Sequence, residues 1–236
     1  MPRYRDHLPQ LSGEPFLTDG GIETTLIYRE GWELPYFAAF YLLQDHKGRE
    51  TLQRYYRKYA SIATSYKVGF ILESPTWRAS RDWGTKLGYD IKSLANANHM
   101  AIDLLLDIRR EYENERSRMV ISGCIGPRGD GYNPSNVMTA GEAEKYHSEQ
   151  MKTFANTEAD MITAITMNHA QEAEGIVRAS KQEGIPVAVS FTVETNGLLP
   201  TGESLERVIT TLDESTGSAP VYYMINCAHP SHFKKV

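Results

Sequence analysis

Cysteine is scarce in this chain: its 236 residues include two, Cys124 and Cys227. Two thiols do not make a disulfide framework for a chain of this length, so stability must come from a packed core. Basic runs are also missing, and the formal net charge is −5, from 25 basic and 30 acidic residues. That balance argues against a nucleic-acid surface. No apolar run reaches the roughly 18 residues of a membrane helix. The opening stretch "MPRYRDHLPQLSGEPF" holds no apolar segment able to act as a signal peptide. These absences predict a cytoplasmic protein with reduced thiols, with neither nucleic acid nor membrane among its partners.

What is present suits one soluble domain over residues 1–236: hydrophobic residues are 41% and charged residues 23%, enough apolar material for a sizeable core. Short β-rich apolar runs alternate with longer helical patterns. "PFLTDGG" (15–21) reads as a strand running into a Gly-Gly turn. "PYFAAFYLL" (35–43) and "TLQRYYRKYASIATSYK" (51–67) read as helices. In the second, Leu52, Tyr55, Tyr56, Tyr59, Ile62 and Ala63 recur at helical spacing. "VGFILES" (68–74) is a strand. "DIKSLANANHMAIDLLLDIRREYENE" (90–115) is a long helix with Ile91, Leu94, Ala95, Ile102 and Leu105 on one face.

"RMVISGCIGPRGDGY" (118–132) is a strand ending in a Gly/Pro-rich loop. A helix follows over 139–159, with Thr139 and Glu142 spaced as a capping box. Strand 160–167, helix 170–184 stopped by Gly184, strand 185–193 and helix 202–215 come next. "PVYYMIN" (220–226) reads as a last, buried strand with Cys227 at its end.

Six β units separated by helices predict a parallel sheet with right-handed crossovers. The choice lies between an open doubly wound sheet and a (β/α)8 barrel. An open sheet usually announces a nucleotide through a Gly-rich first turn, and "TDGGIET" lacks the GxGxxG spacing. The reading is therefore α/β of the (β/α)8 TIM-barrel type, with about six βα units in this chain where a barrel needs eight. An unfinished parallel sheet leaves open edges and exposed apolar surface, which favours oligomerisation or instability.

Chemistry in such folds collects at the C-terminal ends of strands. Those ends read Asp19-Gly20-Gly21, Glu73-Ser74-Pro75-Thr76, Gly123-Cys124-Ile125-Gly126, Thr166-Met167-Asn168, Thr192-Val193-Glu194-Thr195 and Asn226-Cys227. Backbone beside glycine approaches a small ligand closely. Asp19 and Glu73 suit an ammonium group, and a thiolate suits a soft metal. Bland readings stand beside these. Cys124 is a core residue, and Trp77 and Trp83 either line a pocket mouth or pack. His169, His229 and His232 fit no zinc spacing and read as solvated loop histidines.

"LTDGGIETTL", "ILESPTW", "SGCIGP", "VAVSFTVETNGLLPTGESL" and "MINCAHP" stand in the order, and at about the spacing, of the homocysteine S-methyltransferase family, which the chain resembles over nearly its whole length. The resemblance implies a (β/α)8 barrel that binds Zn²⁺ through three cysteines. The zinc would lower the pKa of the homocysteine thiol, which takes a methyl group from a donor to give methionine. It also implies two small-molecule partners, a thiol acceptor and a methyl donor. Cys227, preceded by Asn226, matches the family's first zinc ligand. The substrate-binding set becomes Asp19, Gly20, Gly21, Glu73, Thr76, Thr166, Thr192 and Asn226.

Two departures qualify this. The family's other two ligands are adjacent cysteines after the eighth strand, and no such pair occurs before Val236. The family's Glu-Thr pair at the fourth strand is Ile165-Thr166 here, without the carboxylate for the substrate amino group. The alternative reading is a non-catalytic or differently reacting barrel relative, one that binds a small molecule or needs another chain to complete it.

Overall fold

The structure of the chain, a computed structural model, describes residues 1–134 and 137–234. Among the described residues six strands form: β1 (Phe16–Leu17), β2 (Gly69–Glu73), β3 (Met119–Ile125), β4 (Met161–Met167), β5 (Val187–Phe191) and β6 (Tyr223–Ile225). Their order in the sheet is the order of the chain, β1 to β6. Phe16 pairs with Gly69, Phe70 with Met119, Ile162 with Val187 and Val189 with Tyr223, each pairing parallel. The fold is thus α/β of the (β/α)-barrel type, as the alternation predicts. Every residue of β2, β3 and β5 is buried, as in parallel strands covered on both faces. β6 differs from the expected buried strand, since its three residues are half-buried. It stands last in the sheet order and has one strand neighbour, β5.

Backbone contacts divide the chain into two compact units, Met1–Cys124 with Thr153–Met161, and Ile125–Lys152 with Ile162–Val236. The first carries β1, β2 and most of β3, with helices α1 (Ile22–Tyr28), α2 (His46–Tyr66), α3 (Arg81–Lys86) and α4 (Ile91–Tyr112). α2 begins five residues before the expected start because Asp45 caps it, its Oδ1 accepting from Gly48 N at 2.8 Å. Its buried face holds Leu52, Tyr55, Tyr56, Ala60 and Ala63, whereas Ile62 is exposed. In α4, Ala101, Ile102 and Leu105 are buried and Ile91 at the first turn is exposed. Asp90 caps α4 through Ser93 N at 2.7 Å, with Ser93 Oγ reciprocating.

The expected helix over 35–43 is two 3₁₀ turns, Pro35–Phe37 and Ala39–Gln44. Tyr36 and Phe37 have φ of 54° and 57°, outside the helical region, so the pattern is broken between them. Tyr36 instead lies 6.0 Å from the ring of Trp83.

The second unit carries β4 from Ile162, β5, β6, and helices α5 (Ala140–Ala155, except for its last turn), α6 (Ala170–Glu183) and α7 (Leu205–Thr216). The predicted capping box of α5 is present: Thr139 N donates to Glu142 Oε2 at 2.9 Å and Glu142 N to Thr139 Oγ1 at 3.3 Å. Gly184, at φ 63°, ends α6, and Ser204 caps α7.

Candidate active site at the strand ends

In the first unit the turn after β1 sets the site. Gly20 packs against Tyr59: a Cβ there would lie 2.5 Å from the Tyr59 hydroxyl, so that ring would have to shift to admit a side chain. Gly21 has φ 88°, a conformation side chains resist, and α1 starts at the next residue. Asp19 is thereby turned toward Tyr55, whose hydroxyl donates to its Oδ2 at 3.0 Å. Desolvation pushes the Asp19 carboxyl up to about 6 against that hydrogen bond. Glu23, in the first turn of α1, is raised further, to about 7, chiefly by desolvation and also by Asp19, with Arg78 acting in the opposite direction. Glu73 closes β2 and is buried, and the Tyr56 hydroxyl donates to its carbonyl at 2.7 Å. The buried Cys124 thiol is held well above its usual range by burial, then by Glu73, Glu23 and Asp19. Three carboxylates therefore act on one place in this unit.

Thr76 is fully buried, and its hydroxyl donates to the carbonyl of Cys124 at 2.7 Å. It fastens the end of β2 to the end of β3. Arg78 lies between two indoles, 4.0 Å from the Trp77 ring and 3.9 Å from that of Trp83. The two tryptophans thus pack on the faces of a cation. Glu23 and Arg78 escaped the sequence reading. Glu23 stands inside "TDGGIET" but belongs to a helix, where strand-end reasoning does not look.

In the second unit β4 carries a bulge. Ala164 pairs with Val189 and Met167 with Phe191, so Ile165 and Thr166 together face Ser190. Thr166 has φ 66°, unusual for a β-branched residue. Its N–H donates to Asn226 Oδ1 at 3.0 Å, and Asn226 Nδ2 donates to its Oγ1 at 2.9 Å. Ser190 Oγ donates to the same Asn226 Oδ1 at 2.8 Å. Thr192, buried just past β5, gives its N–H to Met167 O at 3.1 Å. Cys227 follows Asn226 with φ 53° and an exposed side chain. Thr166 and Asn226 are thus brought together with Ser190, a member the sequence did not single out, and Cys227 is the next residue after Asn226.

His169 corrects another expectation. It is buried, not solvated. Its Nδ1 lies 2.8 Å from Asn168 Oδ1 and 3.8 Å from Glu172 Oε2. His147, also buried, meets Glu172 Oε1 at 2.9 Å. Burial lowers the pKa of His169 although Glu172 and Glu203 oppose it. His229, by contrast, is exposed and hydrogen-bonded to Ser231.

Zinc of the three-thiolate kind does not fit the described residues. Among them no group of three His, Cys, Asp or Glu side chains is placed to hold a metal ion. Cys227 offers one exposed thiol, and Cys124 is buried with its thiol held protonated. A cleft of about 460 Å³ in the first unit, lined by Pro15, Phe16, Val68, Gly69 and Arg118, lies at the N-terminal ends of β1 to β3, away from these strand-end groups.

Parallel strands in chain order with helices between them define a barrel-type α/β protein. A family model, homocysteine S-methyltransferase, matches residues 16–236, and the chain belongs to that family. Among solved structures, the metallated form of the homocysteine methyltransferase MmuM from Escherichia coli matches with TM-score 0.73 and 17% identity, over 93% of this chain and 77% of that one. Its oxidized form matches with TM-score 0.75 and 16% identity, over 96% and 78%. At such identities the likeness bears on the fold. No curated protein matches the chain.

Proposed function

We propose that the chain transfers a methyl group to the thiol of homocysteine, or of a similar small thiol, giving methionine or its analogue. The observation that carries this reading is the exposed Cys227 thiol at the C-terminal end of β6, directly after Asn226. The family match over residues 16–236 supports it. In the reaction the acceptor sulfur attacks the methyl carbon of an onium donor. The new S–C bond forms as the donor's bond to that carbon breaks, and the acceptor loses its proton.

A thiol with pKa of about 8.5 is mostly protonated at neutral pH, so the acceptor needs activation. In the zinc-dependent form Cys227 would supply one thiolate ligand and the metal would lower the acceptor's pKa. The described residues do not complete that ligand set. Within the first unit, Asp19 and Glu73 are carboxylates of the kind that suit an ammonium group. Ile165 supplies no charge at the bulge of β4. Gly21, which has only Thr24 Oγ1 within 4 Å of where a Cβ would stand, leaves the backbone accessible beside Asp19.

The test is methionine formation from homocysteine with S-methylmethionine or S-adenosylmethionine, together with zinc content by elemental analysis. Turnover that Cys227→Ser reduces by at least about a hundredfold supports the reading. Full activity in Cys227→Ser removes Cys227 from the chemistry. No methyl transfer by the folded chain from either donor overturns the proposal.

A further inference from the structure

We infer that Asn226 is a positioning residue: its amide clamps the bulge of β4 to β5 and holds the Thr166 and Cys227 backbones in left-handed conformations. This rests on Cys227 serving the proposed methyl transfer, and it changes the role that the family resemblance implies for Asn226 and Thr166, from touching substrate to shaping the site.

The hydrogen-bond inventory carries the argument. An amide oxygen has two lone pairs. Asn226 Oδ1 accepts from Thr166 N at 3.0 Å and from Ser190 Oγ at 2.8 Å, so both are used. A peptide N–H can only donate, which fixes which end of the amide is oxygen. The other end, Nδ2, donates to Thr166 Oγ1 at 2.9 Å. The backbone N–H of Asn226 is also engaged, with Phe191 O at 3.0 Å. Little hydrogen-bonding capacity is left for a ligand.

The strain lies where the clamp acts. Thr166 is β-branched and 2% exposed, yet sits at φ 66° in the bulge that faces Ser190. Such backbone persists only where its surroundings over-determine it. Asn226 does so at both ends of the Thr166 residue, its N–H and its hydroxyl. One residue further, Cys227 has φ 53° and is exposed. Three strands thus meet on one side chain immediately before the proposed functional thiol.

The experiment compares Asn226→Ala, Asn226→Asp and Ser190→Ala with the unaltered chain, by amide hydrogen exchange at Thr166 and by kcat and KM for homocysteine. Asn226→Ala is expected to speed Thr166 exchange by about a hundredfold and to lower kcat by about as much, with KM changed by less than about threefold. Asn226→Asp keeps both acceptor positions and should recover kcat to within about tenfold of the unaltered chain. Ser190→Ala removes one bond and should speed Thr166 exchange by roughly tenfold. It carries the exchange test if Asn226→Ala does not fold. A rise in KM of about tenfold or more at constant kcat would put Asn226 on the substrate and overturn the inference. Unchanged exchange at Thr166 in both alanine variants would overturn it as well. Should the unaltered chain transfer no methyl group, the proposed reaction fails, while the exchange rates still decide whether the clamp exists.

Discussion

Glu23 and Asp19 hold carboxyl groups that would rather be neutral. Their ordinary values are 4.5 and 3.8, and desolvation carries them to about 7 and about 6. Between those limits the folded chain binds more protons than the unfolded one. Stability therefore falls as pH rises from about 4 through 7, because each ionisation must occur in a desolvated place. At about 1.4 kcal/mol per pKa unit the Glu23 shift sets an upper bound of roughly 3 kcal/mol, and because the residue is only half-buried its share lies below that bound. Glu23→Gln removes one of the two ionisations. Urea midpoints at pH 5 and pH 8 should then differ less in Glu23→Gln than in the unaltered chain, by about 1–3 kcal/mol once converted to free energy. Equal pH dependence in both would show that Glu23 is better solvated than its surroundings indicate. A cationic ligand beside these carboxylates would offset their desolvation, so the same residues link pH to the proposed ammonium recognition.

The elements show where the pattern of residues specifies structure and where it does not. α5 and α6 run close together at Gly175, where a Cβ would lie 2.4 Å from Ala143 Cβ, 2.5 Å from Glu144 N and 2.6 Å from Ala140 O. Alanine suits a helix better than glycine by about 1 kcal/mol, but the obstacles here are mainly backbone and cannot swing aside. Overpacking of this kind costs roughly 1–3 kcal/mol. Gly175→Ala should therefore lower stability by up to about 2 kcal/mol net in a urea titration despite its better propensity. A gain in stability would mean that the two helices can separate at little cost. Sequence periodicity placed α6 correctly and said nothing of this contact, since a glycine within a helix looks the same whether it faces water or another backbone. The same limit misplaced residues 35–43. Their apolar spacing is helical, but the Tyr36 ring finds Trp83, 6.0 Å away, and the backbone turns to reach it.

At the scale of the whole chain, the strand and helix order was legible because it depends on patterns a few residues long. Asp19, Glu73 and Cys227 were legible as strand ends for the same reason. The pairings that shape their surroundings were not, because they join residues far apart in sequence, as with Asn226 and Thr166 or His147 and Glu172. Asp160 is the fullest case. It looked like the first residue of a strand, yet it is fully buried and accepts four hydrogen bonds within the first unit. Oδ1 takes the N–H groups of Arg3 at 2.9 Å and Tyr4 at 2.8 Å, and Oδ2 takes Arg109 Nη1 at 2.7 Å and Ile121 N at 2.9 Å. One carboxylate thus joins the N-terminal segment, α4 and β3.

Removing that carboxylate orphans the buried Arg109 charge together with three peptide donors. Breaking a buried pair from one side costs about 3–5 kcal/mol. That is a large part of the roughly 5–15 kcal/mol that keeps a domain folded. Asp160→Ala should lower the unfolding free energy by that amount, read as a lower urea midpoint at unchanged slope, or leave the chain unfolded. Asp160→Asn keeps one acceptor and should lose less. The double variant Asp160→Ala with Arg109→Met should recover part of the loss, because the stranded charge is gone. If Asp160→Ala costs under about 1 kcal/mol, the N-terminal segment is held by other contacts. The guanidinium of Arg5, which donates to the carbonyls of Ala155, Thr157 and Ala159, would then be the next residue to remove.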